Sequence, residues 1–132
     1  MLILIVDDST FILALIKDHL SKKGYWVESA SDAYGAMVAF VKYKPALVIL
    51  DYEMPAGSGG DVYERIRGQE GSTAVPVIFL TGRSLSDVRM RVPPGQKVRF
   101  LSKPVDFDKL DAAMREFLPG PAKPDNSGRP GA

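Results

Sequence analysis

Five strand-sized apolar runs alternate along the chain with longer stretches in which apolar residues recur at helical spacing. The runs occupy residues 2–6, 26–30, 46–50, 76–80 and 98–101. Most are continuous and rich in branched side chains, which is typical of strands buried on both faces of a sheet. Strands that alternate with helices run parallel and are joined by right-handed crossovers. The chain is therefore predicted to have an α/β fold with helices on both faces of the sheet.

The strand order follows from the size of the sheet. Doubly wound parallel sheets of this size commonly have the flavodoxin-like order 2-1-3-4-5. The second run, Trp26–Ala30, alternates apolar and polar residues, which indicates a position near an edge. This order places the switch point between the first and third strands, where ligands of such sheets bind.

Helix boundaries are indicated by apolar spacing, capping residues and proline. The first helix is predicted from five apolar residues: Phe11, Ile12, Leu15, Ile16 and Leu20. Ser31 and Asp106 are predicted to be the N-caps of the second and the last helix. A shorter fourth helix is predicted over residues 85–91, and Pro93-Pro94-Gly95 would end it.

The composition excludes several classes of protein. The chain of 132 residues has no cysteine, so disulfide scaffolds, thiolate metal sites and cysteine nucleophiles are excluded. The 17 basic and 16 acidic residues nearly balance, which gives no case for a nucleic-acid partner. No apolar run approaches the ~20 residues of a membrane span. We therefore expect neither a nucleic-acid nor a membrane partner, and a cytoplasmic location.

The C-terminal residues differ in composition from the rest of the chain. Residues 119–132 contain four of the ten prolines and no large apolar side chain. Such a segment cannot bury enough surface to offset the entropy lost on ordering. We predict one folded domain over residues 1–118 and a disordered tail or linker over 119–132.

Polar residues stand where four of the predicted strands end. Asp7 and Asp8 follow the first strand, and Asp51 and Thr81 end the third and fourth, while Lys103 follows the fifth. Three carboxylates at one sheet edge repel each other unless positive charge lies among them. The lysine supplies one charge, and a hard divalent cation such as Mg²⁺ suits the rest. Taken singly, each residue could instead be a helix cap or a surface side chain.

The motifs that contain these residues resemble the receiver domain of two-component response regulators. They read VDDS at 6–9, LDYEMPAGSGG at 50–60, LTG at 80–82 and LSKP at 101–104. The resemblance covers nearly all of residues 1–118, and the layout is similar to that of the single-domain chemotaxis regulators. It implies a phosphoprotein of a two-component phosphorelay, which receives a phosphoryl group from a sensor histidine kinase or a histidine phosphotransfer protein.

The resemblance also implies a role for each residue that faces the phosphoryl group. Asp51 would be the nucleophile that is phosphorylated, and Thr81 and Lys103 would each contact a phosphoryl oxygen. Pro104 completes the Lys-Pro motif. A protein of this kind catalyses only its own phosphorylation and dephosphorylation, so we do not expect an enzyme that turns over a separate substrate.

Four residues would form the Mg²⁺ site that the resemblance implies. Asp8 and Asp51 would bind the ion directly, together with the backbone carbonyl of Glu53. Asp7 would act largely through metal-bound water. This agrees with the oxygen-rich donor set, because Mg²⁺ is a hard cation that binds few carboxylates and commonly works on phosphates.

Two further hypotheses concern residues near the site. In the family the threonine moves toward the phosphoryl group and an aromatic residue on the fifth strand turns inward. Thr81 and Phe100 match these switch positions, and the switched surface would be the face of the fourth helix, fifth strand and fifth helix, where a downstream target protein binds. Glu53 and Arg83 are predicted to pair across the mouth of the site and to slow autodephosphorylation, unless both are simply solvated.

Three other functions remain possible at this point. A degenerate receiver would bind partners without phosphate, but the intact Asp51, Thr81 and Lys103 argue against it. A phosphatase that forms an aspartyl phosphate would carry its D-x-D motif after the first strand, where this chain has Asp7-Asp8. A flavodoxin-like FMN carrier would need a Ser/Thr/Gly-rich first loop, whereas the loop here is the acidic DDST.

Overall fold

The five predicted strands form one parallel sheet in a computed structural model of the chain. The structure describes residues 1–54, 59–70, 75–85, 88, 95 and 97–119. The strands are β1 (Leu2–Val6), β2 (Trp26–Ala30), β3 (Leu47–Asp51), β4 (Val77–Thr81) and β5 (Val98–Ser102). Their order is β2-β1-β3-β4-β5, so the predicted fold class and strand order are confirmed, with β2 at one edge.

Four helices lie among the described residues: α1 (Thr10–Lys22), α2 (Ala33–Tyr43), α3 (Gly59–Glu70) and the C-terminal helix (Phe107–Phe117). Asp106 caps the C-terminal helix as predicted. The predicted cap of α2 is wrong, because Asp32 rather than Ser31 accepts the hydrogen bond from the Gly35 N–H, at 2.6 Å. Asp32 directly precedes the first helical residue, so its short side chain reaches the free amides of the first turn.

Two predicted segments lie largely or wholly outside the described residues. The short fourth helix over 85–91 includes residues 86–87 and 89–91, which the structure does not describe. The tail over 119–132 is described only at its first residue. No described helix has both the length and the apolar character needed to cross a membrane.

Alternation along the strands divides the core into two layers. On β1, Leu4 and Val6 face the layer that contains α2 and α3, whereas Ile3 and Ile5 face the layer that contains α1 and the C-terminal helix. The side chains of these strand residues are almost fully buried. Burial on both faces holds the central strands rigid, so the residues at their C-terminal ends have fixed positions.

The N-terminal half of α1 departs from the predicted packing. Ile16 and Leu20 are fully buried, but Phe11 is 70% exposed and Leu15 is 43% exposed. The apolar arc of α1 is thus wider than the face that packs on the sheet. Phe11 and Leu15 are separated by one turn and lie on one face of the helix, so together they form a small exposed apolar patch.

Candidate functional site

Buried polar side chains meet at the C-terminal ends of the central strands. Asp7 follows β1, and Asp51 and Thr81 are the last residues of β3 and β4. Each of the three is at most 1% exposed, whereas Asp8 is exposed. One carboxylate oxygen from each of Asp7, Asp8 and Asp51 lies within 4.8 Å of the others. The structure therefore brings together the three predicted carboxylates.

Lys103 provides the positive charge in this cluster. Its Nζ lies 3.1 Å from Asp51 Oδ1 and 3.3 Å from Asp7 Oδ2. Burial alone would lower the pKa of Lys103, but the contacts with Asp51 and Asp7 outweigh it and raise that pKa. The Lys103 N–H also donates to the carbonyl of Thr81 at 2.7 Å. The lysine is thus held at both its main chain and its side chain.

The Asp51 carboxylate is only partly neutralised. Its Oδ1 accepts the N–H of Glu53 at 3.1 Å in addition to the lysine contact. Its Oδ2 is buried and has no hydrogen-bond partner in the described part of the chain. Burial raises the pKa of Asp51 to about 7, with a further increase from Asp7, although Lys103 opposes the shift. Asp51 is therefore a buried carboxylate with one free oxygen.

Helix capping does not explain the two buried aspartates. Asp7 Oδ1 accepts the N–H of Ser9 at 2.9 Å, and it is the Ser9 hydroxyl that caps α1 by accepting the N–H of Ile12 at 3.3 Å. Asp51 lies eight residues before α3 begins at Gly59. The capping interpretation that the sequence left open is therefore wrong for both Asp7 and Asp51.

The donor set fits Mg²⁺. All the candidate ligands are oxygens, three of them from the carboxylates of Asp7, Asp8 and Asp51. The free Asp51 Oδ2 lacks the positive partner that a buried carboxylate oxygen needs. Ligands on opposite sides of a Mg²⁺ ion at ~2.1 Å would be about 4.2 Å apart, which is compatible with carboxylate oxygens that all lie within 4.8 Å of one another. One lysine against three carboxylates also leaves a net negative charge that a divalent cation would neutralise.

The Glu53 side chain turns toward the end of β4. Its carboxylate accepts hydrogen bonds from the Thr81 hydroxyl and from the main-chain N–H groups of Gly82 and Arg83, the last two at 3.2 Å. Burial alone would raise the pKa of Glu53, but these donors outweigh it and lower that pKa. The predicted pairing of the Glu53 and Arg83 side chains is not found in the described part of the chain; Glu53 instead accepts the main-chain N–H of Arg83. Among the described residues, no ion pair joins Glu53 to the Arg83 guanidinium.

The main-chain donors of Gly82 and Arg83 are the part of the site that sequence reasoning missed. Every residue other than proline carries an N–H, so residue type gives no signal for this role. Only the position of Gly82 directly after Thr81 could have indicated it. The site therefore combines carboxylates that were predictable from strand ends with amides that were not.

The remaining predicted positions lie beside this cluster. Phe100 is 8% exposed, and its ring stacks on that of Phe79 with a centroid distance of 5.5 Å. It therefore lies inward, although the predicted switching motion itself stays a prediction. Pro104 is exposed and follows Lys103 across a cis peptide bond.

Comparison with known proteins identifies the family. Residues 3–115 match the model of the response regulator receiver domain. The chain belongs to this family. The receiver domain is 33% identical over 114 residues to the transcriptional regulatory protein KdpE of Mycobacterium tuberculosis, which covers 86% of this chain and 49% of that protein. This chain thus spans about half the length of the curated relatives that it matches.

Solved structures agree with this assignment. The receiver domain is similar to the chemotaxis protein CheY4 of Vibrio cholerae, with a TM-score of 0.81, 26% identity, and coverage of 89% of this chain and 98% of that one. It is also similar to the response regulator TrrA of Thermotoga maritima in complex with Mg²⁺-BeF, with a TM-score of 0.74 and 32% identity. That likeness covers 89% of this chain and 98% of TrrA. The predicted family resemblance is confirmed.

Proposed function

We propose that Asp51 of this receiver domain accepts a phosphoryl group from a phosphohistidine in a Mg²⁺-dependent reaction. One observation carries the proposal: Asp51 is buried with a free carboxylate oxygen, beside Lys103 and two further carboxylates. A carboxylate that is freed from solvent and lacks a partner at one oxygen is a ready nucleophile. The family membership supplies the class of phosphoryl donor.

The transfer needs little covalent chemistry from the protein. A bond forms between an Asp51 oxygen and phosphorus, while the bond from phosphorus to the histidine nitrogen breaks and its electron pair stays on that nitrogen. Phosphoryl transfer is catalysed mainly by positioning and by neutralising charge on the equatorial oxygens. Lys103 is placed to bind one of those oxygens, and Thr81 would donate its hydroxyl to another.

Mg²⁺ would be held directly by Asp8, Asp51 and the backbone carbonyl of Glu53, and by Asp7 largely through water. When bound, the ion neutralises negative charge on the carboxylates and on the phosphoryl oxygens. The protein contributes the rigid strand ends that place Asp7 and Asp51. It also contributes Lys103, whose positive charge reduces the repulsion between the buried carboxylates of Asp7 and Asp51 before the ion binds.

Mass spectrometry of the protein after incubation with acetyl phosphate and Mg²⁺ tests the proposal. We expect wild-type protein to gain the mass of one phosphoryl group, and Asp51→Ala and EDTA-treated protein to gain none. In this reaction a bond forms between an Asp51 oxygen and phosphorus, while the bond between phosphorus and the acetyl oxygen breaks and acetate leaves. A wild-type protein that stays unmodified would support a degenerate receiver, and multiple turnover of small phosphate esters would support a phosphatase, both against our proposal.

We propose that the phosphoryl donor protein, a histidine kinase or a histidine phosphotransfer protein, contacts the patch formed by Phe11 and Leu15. This patch lies on the first turns of α1, a few residues after the site carboxylates Asp7 and Asp8. Exposed apolar side chains beside a reactive group are typical of a protein-binding surface. We propose that the transfer takes place in the cytoplasm, as the family membership implies.

Replacing Phe11 with Ala is expected to separate protein-based from small-molecule phosphorylation. Loss of one interfacial aromatic should weaken binding to the donor protein by about tenfold, with no change in phosphorylation by acetyl phosphate. Binding of a cognate phosphotransfer protein can be measured by calorimetry. Tyr34→Ala is a matched control, because Tyr34 is 79% exposed on α2. Equal losses for the two variants would contradict the proposed surface.

We propose that the downstream target binds along β5 and the C-terminal helix. A groove of about 630 Å³ lies there, and its lining includes Phe100, Lys103 and Lys109. Because Lys103 lines this groove and also contacts Asp51, a change at Asp51 can alter the shape of the groove. Only a difference in target affinity between the two states of the groove can carry a signal.

A further inference from the structure

The Glu53 carboxylate lies on the donor groups that a phosphoryl group would need. It accepts the hydroxyl hydrogen of Thr81 and the N–H groups of Gly82 and Arg83. These three donors converge on one anionic group at the end of β4. Under the proposed function, the same end of β4 faces the phosphoryl group on Asp51. The Glu53 carboxylate thus occupies the same donors that an anionic phosphoryl group would use in the phosphorylated protein.

The position of Glu53 in the chain makes this contact specific to the site. Its main-chain N–H donates to Asp51 Oδ1 at 3.1 Å, while its side chain reaches the donors on the neighbouring strand. One residue therefore links the phosphoryl acceptor to the phosphoryl-binding groups. Its partly buried carboxylate is also bound at both oxygens, since the Gly82 N–H lies 3.2 Å from each of them.

The donors cannot serve both anions fully. The Thr81 hydroxyl has one hydrogen to donate, and each main-chain amide has one. Hydrogen bonds to a charged acceptor are stronger than neutral ones, so releasing Glu53 from three donors has a substantial cost. A phosphoryl oxygen that gains the Thr81 hydroxyl must take it from the Glu53 carboxylate.

We propose that Glu53 is a built-in competitor of the phosphoryl group, which occupies its binding groups in the unphosphorylated protein and is displaced when Asp51 is modified. This inference rests on the proposed function and names a regulation of the same site. Glu53 acts through Thr81, Gly82 and Arg83, so it is a positioning residue rather than a catalytic one. It lowers the affinity of the site for phosphoryl-like anions and keeps the 81–83 segment ordered until one binds.

Beryllofluoride in the presence of Mg²⁺ provides a direct test, because it binds to an acceptor carboxylate without group transfer. We expect Glu53→Ala to bind it about tenfold more tightly than wild type, since one charge-assisted competitor is removed. Glu53→Gln keeps the size of the side chain and should fall between the two. Glu64→Gln, on the exposed face of α3, is the charge-matched control and should bind as wild type does.

Amide resonances give a second readout that does not depend on phosphorylation. Without beryllofluoride, the Gly82 and Arg83 amide protons should move upfield in Glu53→Ala, because they lose a carboxylate acceptor. The Arg83 proton should move less, because the Arg83 N–H also donates to Thr81 Oγ1 at 3.0 Å. Adding beryllofluoride should return the Gly82 proton downfield. In wild type the same titration should change this proton little, since one anion replaces another.

The outcomes separate this inference from the proposed function. If wild type binds beryllofluoride and both Glu53 variants bind it equally or more weakly, the competitor role is wrong and the contact is purely structural. Unchanged Gly82 and Arg83 resonances in Glu53→Ala would overturn it as well. If wild type and every variant fail to bind beryllofluoride and fail to react with acetyl phosphate, the phosphoacceptor function itself is wrong.

Discussion

Replacing Lys103 with Met is expected to slow phosphorylation of Asp51 by about 100-fold, the effect of removing one preorganised donor to a developing charge. It should also lower the free energy of unfolding. Lys103 Nζ is within 3.3 Å of both Asp7 and Asp51, which are each 1% exposed. Without the ammonium group these buried carboxylates have no cationic partner among the described residues. Breaking a buried ion pair in this way costs about 3 kcal/mol.

Urea unfolding in EDTA and in Mg²⁺ measures the stability effect, and mass spectrometry with acetyl phosphate measures the rate. Mg²⁺ should restore part of the stability of Lys103→Met, because it supplies positive charge to the same carboxylates. Lys17→Met is a suitable control, since Lys17 is exposed on α1 and should change stability by less than about 0.5 kcal/mol. If the two variants unfold alike, Lys103 does not neutralise the cluster.

Replacing Asp51 with Asn is expected to stabilise the metal-free protein at alkaline pH. Burial raises the pKa of Asp51 to about 7, above its value of ~3.9 in an unfolded chain. A raised pKa means that the folded state favours the protonated group. The contribution of Asp51 to stability is therefore fully present below pH ~4 and is lost as the pH rises through about 7. The side chain of the Asp51→Asn variant does not ionise, so the variant does not lose stability in this way.

Unfolding of wild type and Asp51→Asn in EDTA across pH 5 to pH 8 tests this sign. We expect a small difference at the acidic end and an advantage of about 2 kcal/mol for the variant at the alkaline end. Mg²⁺ should stabilise wild type more than the variant and reduce the gap. Asp18→Asn serves as a control, because Asp18 is 65% exposed. If the free energy of unfolding depends on pH in the same way for wild type and Asp51→Asn, burial does not disfavour the ionised form of Asp51.

The acidic cluster was predictable because strand ends were predictable. Continuous branched apolar runs mark buried parallel strands, and parallel strands bring their C-terminal ends to one edge. Asp7, Asp51 and Thr81 lie directly at such ends, so their convergence follows from topology alone. The roles assigned to them in phosphoryl transfer came from the family resemblance, and they stay predictions until Asp51 is shown to be modified.

The predictions that were wrong concern features that residue type alone does not determine. Ser31 and Asp32 are both good caps, and only the exact start of α2 decides between them. Phe11 fits the helical period of α1, but period does not show how much of the apolar arc the sheet covers. Glu53 could bind the Arg83 guanidinium or the nearby amides, and the closeness of the β3 and β4 ends favours the amides.

The short main-chain hydrogen bond between Lys103 and Thr81 has a consequence for how far a change at Asp51 can travel. Since the Lys103 N–H donates to the Thr81 carbonyl at 2.7 Å, the main-chain segments that carry the hydroxyl and ammonium groups for a phosphoryl group are directly linked. We expect a displacement of either main-chain segment to shift the other. Because the C-terminal helix begins at Phe107, four residues beyond Lys103, we expect such a displacement to reach the start of that helix.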